Sequence, residues 1–166
     1  MEYLYETRNY YLMFIIDDMR VIKWYVDASF AVHTGFNSHT GGIMMWKTRA
    51  NQYGSIHRKL NTRSISEVEV AGVDDMASKI LWGKSFIEDQ GSNVENNISY
   101  QDNKSYILLD KNGNKSAGKR SWMMNICYFF ITDQVQKGSA EIGNCPTDGI
   151  VADFMTKPLQ GSKFQE

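Results

Sequence analysis

An α/β fold, one mixed sheet of about five strands with helices packed against it, is what the sequence predicts. Three observations point there. Segments rich in β-branched and aromatic residues come first, joined by short connections. The apolar period then lengthens to that of a helix. Beyond it, strand and helix patterns alternate. Neither G-x-G-x-x-G nor G-x-x-x-x-G-K-[ST] occurs, so the standard dinucleotide and Walker phosphate loops have no warrant.

The elements follow in order. Residues 1–19 are a short aromatic and apolar segment closed by Asp17 and Asp18, an acid pair that fits a turn between strands. VIKWYVDAS (21–29), SHTGGIMMWKT (38–48) and NQYGSIHRK (51–59) read as three strands; the short GFNS and RANQ connections suit hairpins and an antiparallel meander. From Ser64 to Gly91 the pattern is helical. Val70, Val73, Ala77, Ile80, Leu81 and Ile87 form its apolar stripe. NNISYQD (96–102) is a short strand, and 103–112 a short helix stopped near Gly113. A Lys-, Gly- and Ser-rich loop leads to a helix over 122–138, a strand over 139–145 and a last helix opened by Pro146 and ended by Pro158.

Composition narrows the function classes. With 166 residues, 42% hydrophobic and 22% charged, the chain suits one domain with a sizeable core. Lys plus Arg total 18 against 19 for Asp plus Glu, a net charge of -1, so a broadly basic nucleic-acid binder is excluded and any such partner needs a local site. Two cysteines, Cys127 and Cys145, are too few for a disulfide scaffold or a closed four-cysteine zinc site. No apolar run reaches the length of about 18 residues that a membrane span needs, so no membrane partner is expected.

Four acids stand in unusual places. Asp27 interrupts a core strand, Glu67 lies in the first turn of the long helix, Asp102 is at the exit of the NNISYQ strand, and Asp153 is flanked by apolar residues in the last helix. Each alone has an ordinary explanation; Ser64 and Glu67, for example, have capping-box spacing. Together they suit other chemistry. Carboxylates about 5 Å apart repel by roughly 3 kcal/mol per pair at an effective dielectric of about 20, so a cluster needs positive compensation. Divalent magnesium or manganese, which prefers oxygen ligands, supplies it. Two such ions about 4 Å apart can activate water and stabilise the leaving oxygen of a phosphodiester.

The chain resembles the ribonuclease H domain of Ty1/copia-type retrotransposon polyproteins. KWYVDASFA followed by SHTGG resembles its first strand, acid and hairpin, and NTRSISEVEVAG its Ser-Thr-Glu-Ala-Glu helix entry. YQDNKSYILL resembles the third acidic motif, and PTDGIVADFMTKPL the terminal signature. The resemblance implies a ribonuclease H-like fold over 21–164, with residues 1–20 ending the connection from an upstream reverse transcriptase domain. It implies catalytic and metal-binding roles for Asp27, Glu67, Asp102 and Asp153, with Glu69 as second candidate to Glu67. Only one of the two can face a given site, since residues two apart on a helix point away from each other.

The implied reaction is hydrolysis of the RNA strand of an RNA–DNA hybrid during reverse transcription, using two Mg2+ ions or Mn2+. The implied location is the cytoplasm, within virus-like particles. Phosphate contacts are expected from Ser29, Arg58, Lys59, Arg63, Asn103, Ser105, Lys119 and Arg120. Against the family pattern, Trp122 and Met123 replace a basic-histidine pair and Cys127 replaces an arginine. The alternative is therefore a catalytically impaired remnant that keeps the fold and at most weak hybrid binding. An exonuclease or strand-transfer enzyme with a similar acid cluster is a third reading.

Overall fold

The computed structural model describes residues 20–30, 37–46, 49–58, 65–102 and 122–157, with Tyr5, Arg8 and Asn9; for residues 49, 65–67, 122–125 and 128 the description is of the backbone alone. The strands and helices are β1 (Val21–Ser29), β2 (His39–Trp46), β3 (Arg49–His57), α1 (Ile65–Asp89), β4 (Asn96–Gln101), α2 (Trp122–Gln136), β5 (Glu141–Asn144) and α3 (Asp153–Thr156), with a 3-10 turn over Thr147–Gly149 before α3. The expected helix at 103–112 and the Asp17–Asp18 turn lie outside the described residues.

The sheet has five strands in the order β3-β2-β1-β4-β5. β1, β2 and β3 form the antiparallel meander, while β4 joins β1 in parallel and β5 joins β4 in parallel. The sheet is therefore mixed, as the sequence predicts. A parallel neighbour needs a crossover between β1 and β4, and α1 lies within that connection.

Alternation along β1 sorts its two faces. Ile22, Trp24 and Val26 are buried, whereas Val21, Lys23 and Tyr25 are half-buried. The buried face, with Met44 of β2, joins Val70, Val73, Met76 and Ile80 of α1 in the main core, which Ile87, Val94 and Ile131 extend. Each such side chain contributes roughly 1.5–3 kcal/mol on burial, which the ordering of the chain largely offsets. The apolar stripe read from the sequence lies inside, except that Leu81 is half-buried. Asn97 ties the layers together: its Nδ2 donates to the carbonyls of Ile80 and Ser139, both at 3.1 Å.

The last helix differs from expectation. The continuous helix read through TDGIVADFMTK is broken after the 3-10 turn, where Ile150 is extended at φ -80 and ψ 93. Gly149 is a poor helix former, and Ile150 and Ala152 are buried. Burial of these two side chains outweighs helix continuity. Only one turn of helix remains at α3.

Candidate active site

Strand register brings the first two acids together. The last β1–β4 pair is Tyr25 with Tyr100, whose rings stack with centroids 5.3 Å apart. Asp27 and Asp102 each lie two residues further on. In a parallel pair, equal steps carry both to the same end of neighbouring strands and to the same side as the tyrosines.

The third acid comes from α1. Gly72 lies so close to β1 that a Cβ there would stand 2.8 Å from the Ala28 Cβ. One helical turn earlier, Glu69 is carried to Asp27, the neighbour of Ala28. One oxygen each from Asp27, Glu69 and Asp102 lies within 4.8 Å of the others. Asp27 is 4% exposed and Glu69 6%.

The sequence-derived choice of Glu67 is thus answered by geometry at its runner-up. Helical rotation of about 100° per residue places position 67 well away from the Gly72 face and position 69 near it. The side chain of Glu67 itself lies outside the described residues. A signal for Glu69 was present in the sequence: extending the buried stripe Ile80, Met76 and Val73 back by one turn lands on position 69.

The C-terminal segment supplies partners for these acids. Thr156 Oγ1 donates to Asp27 Oδ2. Thr147 Oγ1 donates to Asp102 Oδ2 at 3.2 Å. Asp153 stands at the margin, where Lys157 Nζ lies 2.7 Å from Asp153 Oδ1 and 3.8 Å from Asp27 Oδ2. This segment sits tightly on β2: a Cβ at Gly41, which is paired with Asp27, would stand 2.7 Å from the Met155 Cβ and 2.8 Å from Thr156 Cγ2. The lysine was readable as an acid-to-lysine pair four residues apart. The two threonines had no spacing signal.

Charge at the site is incompletely balanced. Burial, then the charges of Asp27 and Asp102, push the Glu69 carboxyl up to about 8, with Lys157 opposing and Asp153 adding. Burial also raises Asp27, against the Thr156 hydrogen bond and the Lys157 charge, with Asp153 and Asp102 adding to the rise. Burial works against the Lys157 ammonium, but its hydrogen bond to Asp153 and the charges of Asp27, Asp153 and Asp102 outweigh it and raise its pKa. Glu69 Oε2 is buried without a hydrogen-bond partner. Convergent hard oxygen donors, one of them an orphan, fit a divalent cation such as magnesium or manganese.

The expected phosphate contacts fare differently. Arg58 is turned inward: its Nε lies 3.0 Å from Asp75 Oδ2 and its side chain is only 12% exposed. Its charge is engaged within the fold, which corrects its reading as a surface contact. Ser29 is buried, and its hydroxyl donates to the His39 carbonyl at 3.4 Å. Lys59, Arg63, Asn103, Ser105, Lys119 and Arg120 lie outside the described residues, as do the side chains of Trp122 and Met123. Cys127 donates from Sγ to Asp74 Oδ2 at 3.0 Å; burial, then this hydrogen bond, push the thiol up to about 12. Ile126, Phe129 and Phe130 of α2 are exposed.

Comparison with known proteins agrees with this architecture. No protein-family profile matches the chain. It is 26% identical over 146 residues to the retrovirus-related Pol polyprotein from transposon TNT 1-94 of Nicotiana tabacum, which covers 87% of this chain and 11% of the polyprotein. It is 27% identical over 167 residues to the corresponding polyprotein from transposon RE1 of Arabidopsis thaliana, covering 99% of this chain and 11% of that one. The chain thus spans about a tenth of the length of the curated relatives it matches.

Among solved structures, a ribonuclease H1 isolated from compost by a metagenomic approach superposes with a TM-score of 0.61 at 10% identity, covering 83% of this chain and 94% of that one. The same ribonuclease in complex with an RNA/DNA hybrid gives 0.58 at 10% identity, covering 81% and 93%. The fold is that of ribonuclease H, and the homologues are Pol polyproteins of plant transposons. Both agree with the resemblance to the ribonuclease H domain of a Ty1/copia-type polyprotein.

Proposed function

We propose that this chain is the ribonuclease H unit of a retrotransposon Pol polyprotein and hydrolyses the RNA strand of RNA–DNA hybrids. The observation that carries this reading is the meeting of Asp27, Glu69 and Asp102 at one end of two parallel strands, around a buried carboxylate oxygen that lacks a partner. Asp27, Glu69 and Asp102 would hold magnesium or manganese, with Asp153 completing the set for a second ion; Glu69 takes the role that the sequence resemblance gives to Glu67. Two such ions supply a nucleophilic water and a Lewis acid for the leaving oxygen.

The protein's own groups set the geometry. Thr156 fixes one oxygen of Asp27 and Thr147 one oxygen of Asp102, so each carboxylate keeps a defined orientation with its other oxygen available. Lys59, Arg63, Asn103, Ser105, Lys119 and Arg120 remain proposed contacts to the hybrid backbone, where phosphate contacts would position the duplex without reading its sequence. Residues 1–20 are proposed as the end of the connection from an upstream reverse transcriptase domain, supported by the relative whose similarity covers 99% of the chain. Action in the cytoplasm within virus-like particles is proposed on the resemblance to retrotransposon polyproteins alone. No helix among the described residues is long and apolar enough to cross a membrane.

A second reading, a fold kept with impaired catalysis, is favoured by α2. Cys127 turns toward Asp74, and the exposed described side chains Ile126, Phe129 and Phe130 offer a hybrid backbone no cation. Cleavage of an RNA–DNA hybrid decides between them. Activity with magnesium, none with calcium, and loss in Asp102→Asn are expected for the enzyme. Binding without cleavage under all three conditions identifies the impaired form.

A further inference from the structure

The acid cluster contains a cation of its own. Lys157 Nζ stands between two of the acids, 2.7 Å from Asp153 Oδ1 and 3.8 Å from Asp27 Oδ2. It reaches them from the last residue of the described C-terminal segment. Its neighbour Thr156 is already bonded to the same Asp27 oxygen. The Lys157 side chain is 41% exposed. A flexible stem of that exposure lets the ammonium move to solvent without displacing the backbone.

We infer that Lys157 is a resident counter-ion, which holds Asp27 and Asp153 together when no divalent ion is bound and must leave them when one binds. The inference rests on the metal-centre reading above. A divalent ion bound to Asp27 and Asp153 would meet a like charge at close range, and repulsion between them at a partly exposed site is substantial. Ion entry and lysine departure are therefore coupled, and the lysine lowers the affinity for the ion. In the metal-free protein the same ammonium offsets repulsion between two carboxylates that the fold presses together. The lysine thus acts on metal affinity and on metal-free stability in opposite directions, which a purely structural ion pair does not.

The test measures Mn2+ binding to the full chain, by calorimetry or by the spin-resonance signal of free Mn2+, at low ionic strength. Lys157→Met is expected to bind Mn2+ about five- to ten-fold more tightly than the wild type, while melting at a lower temperature without metal. Lys157→Arg keeps the charge and is expected to stay within about two-fold of the wild type. Equal or weaker Mn2+ binding by a folded Lys157→Met protein overturns the inference, as does Lys157→Arg behaving like Lys157→Met. An Asp27→Asn, Asp102→Asn double variant separates the two readings. If it binds Mn2+ as the wild type does, the cluster is not the ion site and both fall. If it loses binding while Lys157→Met matches the wild type, only the role of Lys157 falls.

Discussion

Helix α1 carries two carboxylates in opposite situations, Glu69 buried and Asp75 half-buried. Asp75 lies against Arg58 at 3.0 Å and accepts a hydrogen bond from Thr40 Oγ1 at 2.8 Å. Burial raises its pKa, but the Thr40 hydrogen bond and the Arg58 charge work against the rise. Glu69, less than two turns earlier, has the carboxylates Asp27 and Asp102 for neighbours and an oxygen with no hydrogen bond. The fold gives one acid a cation and a hydroxyl and leaves the other in want of positive charge. An acid of the first kind holds layers together; one of the second kind has the chemistry to accept a cationic ligand.

The largest expected effect breaks the Glu69 side of this comparison. Glu69→Gln should lower hybrid cleavage in magnesium by about 100- to 1,000-fold in single-turnover assays, whereas Glu67→Gln should lower it by less than about three-fold. The reverse pattern would restore Glu67 to the site. On the other side, Arg58→Met should leave the half-buried Asp75 without its cation, held by Thr40 alone. Urea denaturation should then show a loss of about 2–3 kcal/mol, reduced from that of a fully buried pair because both side chains retain some exposure.

A smaller effect reads Glu69 through pH. The folded-state pKa of Glu69, about 8, lies above its unfolded value near 4.5, so the folded protein binds the extra proton between these limits. Metal-free stability should therefore fall as pH rises from about 5 to 8, by about 2 kcal/mol with coupling to Asp27 and Lys157 allowed for. Glu69→Gln should flatten that slope, and so should added Mg2+. A slope unchanged in Glu69→Gln would move the source elsewhere. The smallest effect concerns Asp74, beside Asp75. Cys127→Ala removes one hydrogen bond to it and a little buried surface, and should cost about 1 kcal/mol by urea denaturation.

Much of this was legible in the sequence because it is periodic or local. The three-strand meander, the α1 stripe and the places of Asp27 in β1 and Asp102 just after β4 can be read from alternation and spacing. The expected strand over 21–29 has the observed bounds, and the long helix differs by one residue at its start and two at its end. Three points were harder to read. The choice between Glu67 and Glu69 depends on helix phase against the sheet, where the family motif points to Glu67 and the buried stripe points to Glu69. Arg58 looked like a surface cation because its partner lies on another element, 17 positions away in sequence. The break at Ile150 arises from tertiary burial, which local propensity does not report.

The hydrogen bond from Thr156 to Asp27 joins residues 129 positions apart, and the one from Thr147 to Asp102 spans 45. On a ribosome, the first acid emerges long before the hydroxyl that orients it. The cluster can take its final form only after residue 157 has cleared the exit tunnel and the crossover through α1 has closed. A chain cut before residue 147 therefore carries Asp27, Glu69 and Asp102 without the hydroxyls that orient them. Synthesis through residue 157 acts as a timer on the site, set by the distance in sequence between β1 and the single helical turn α3.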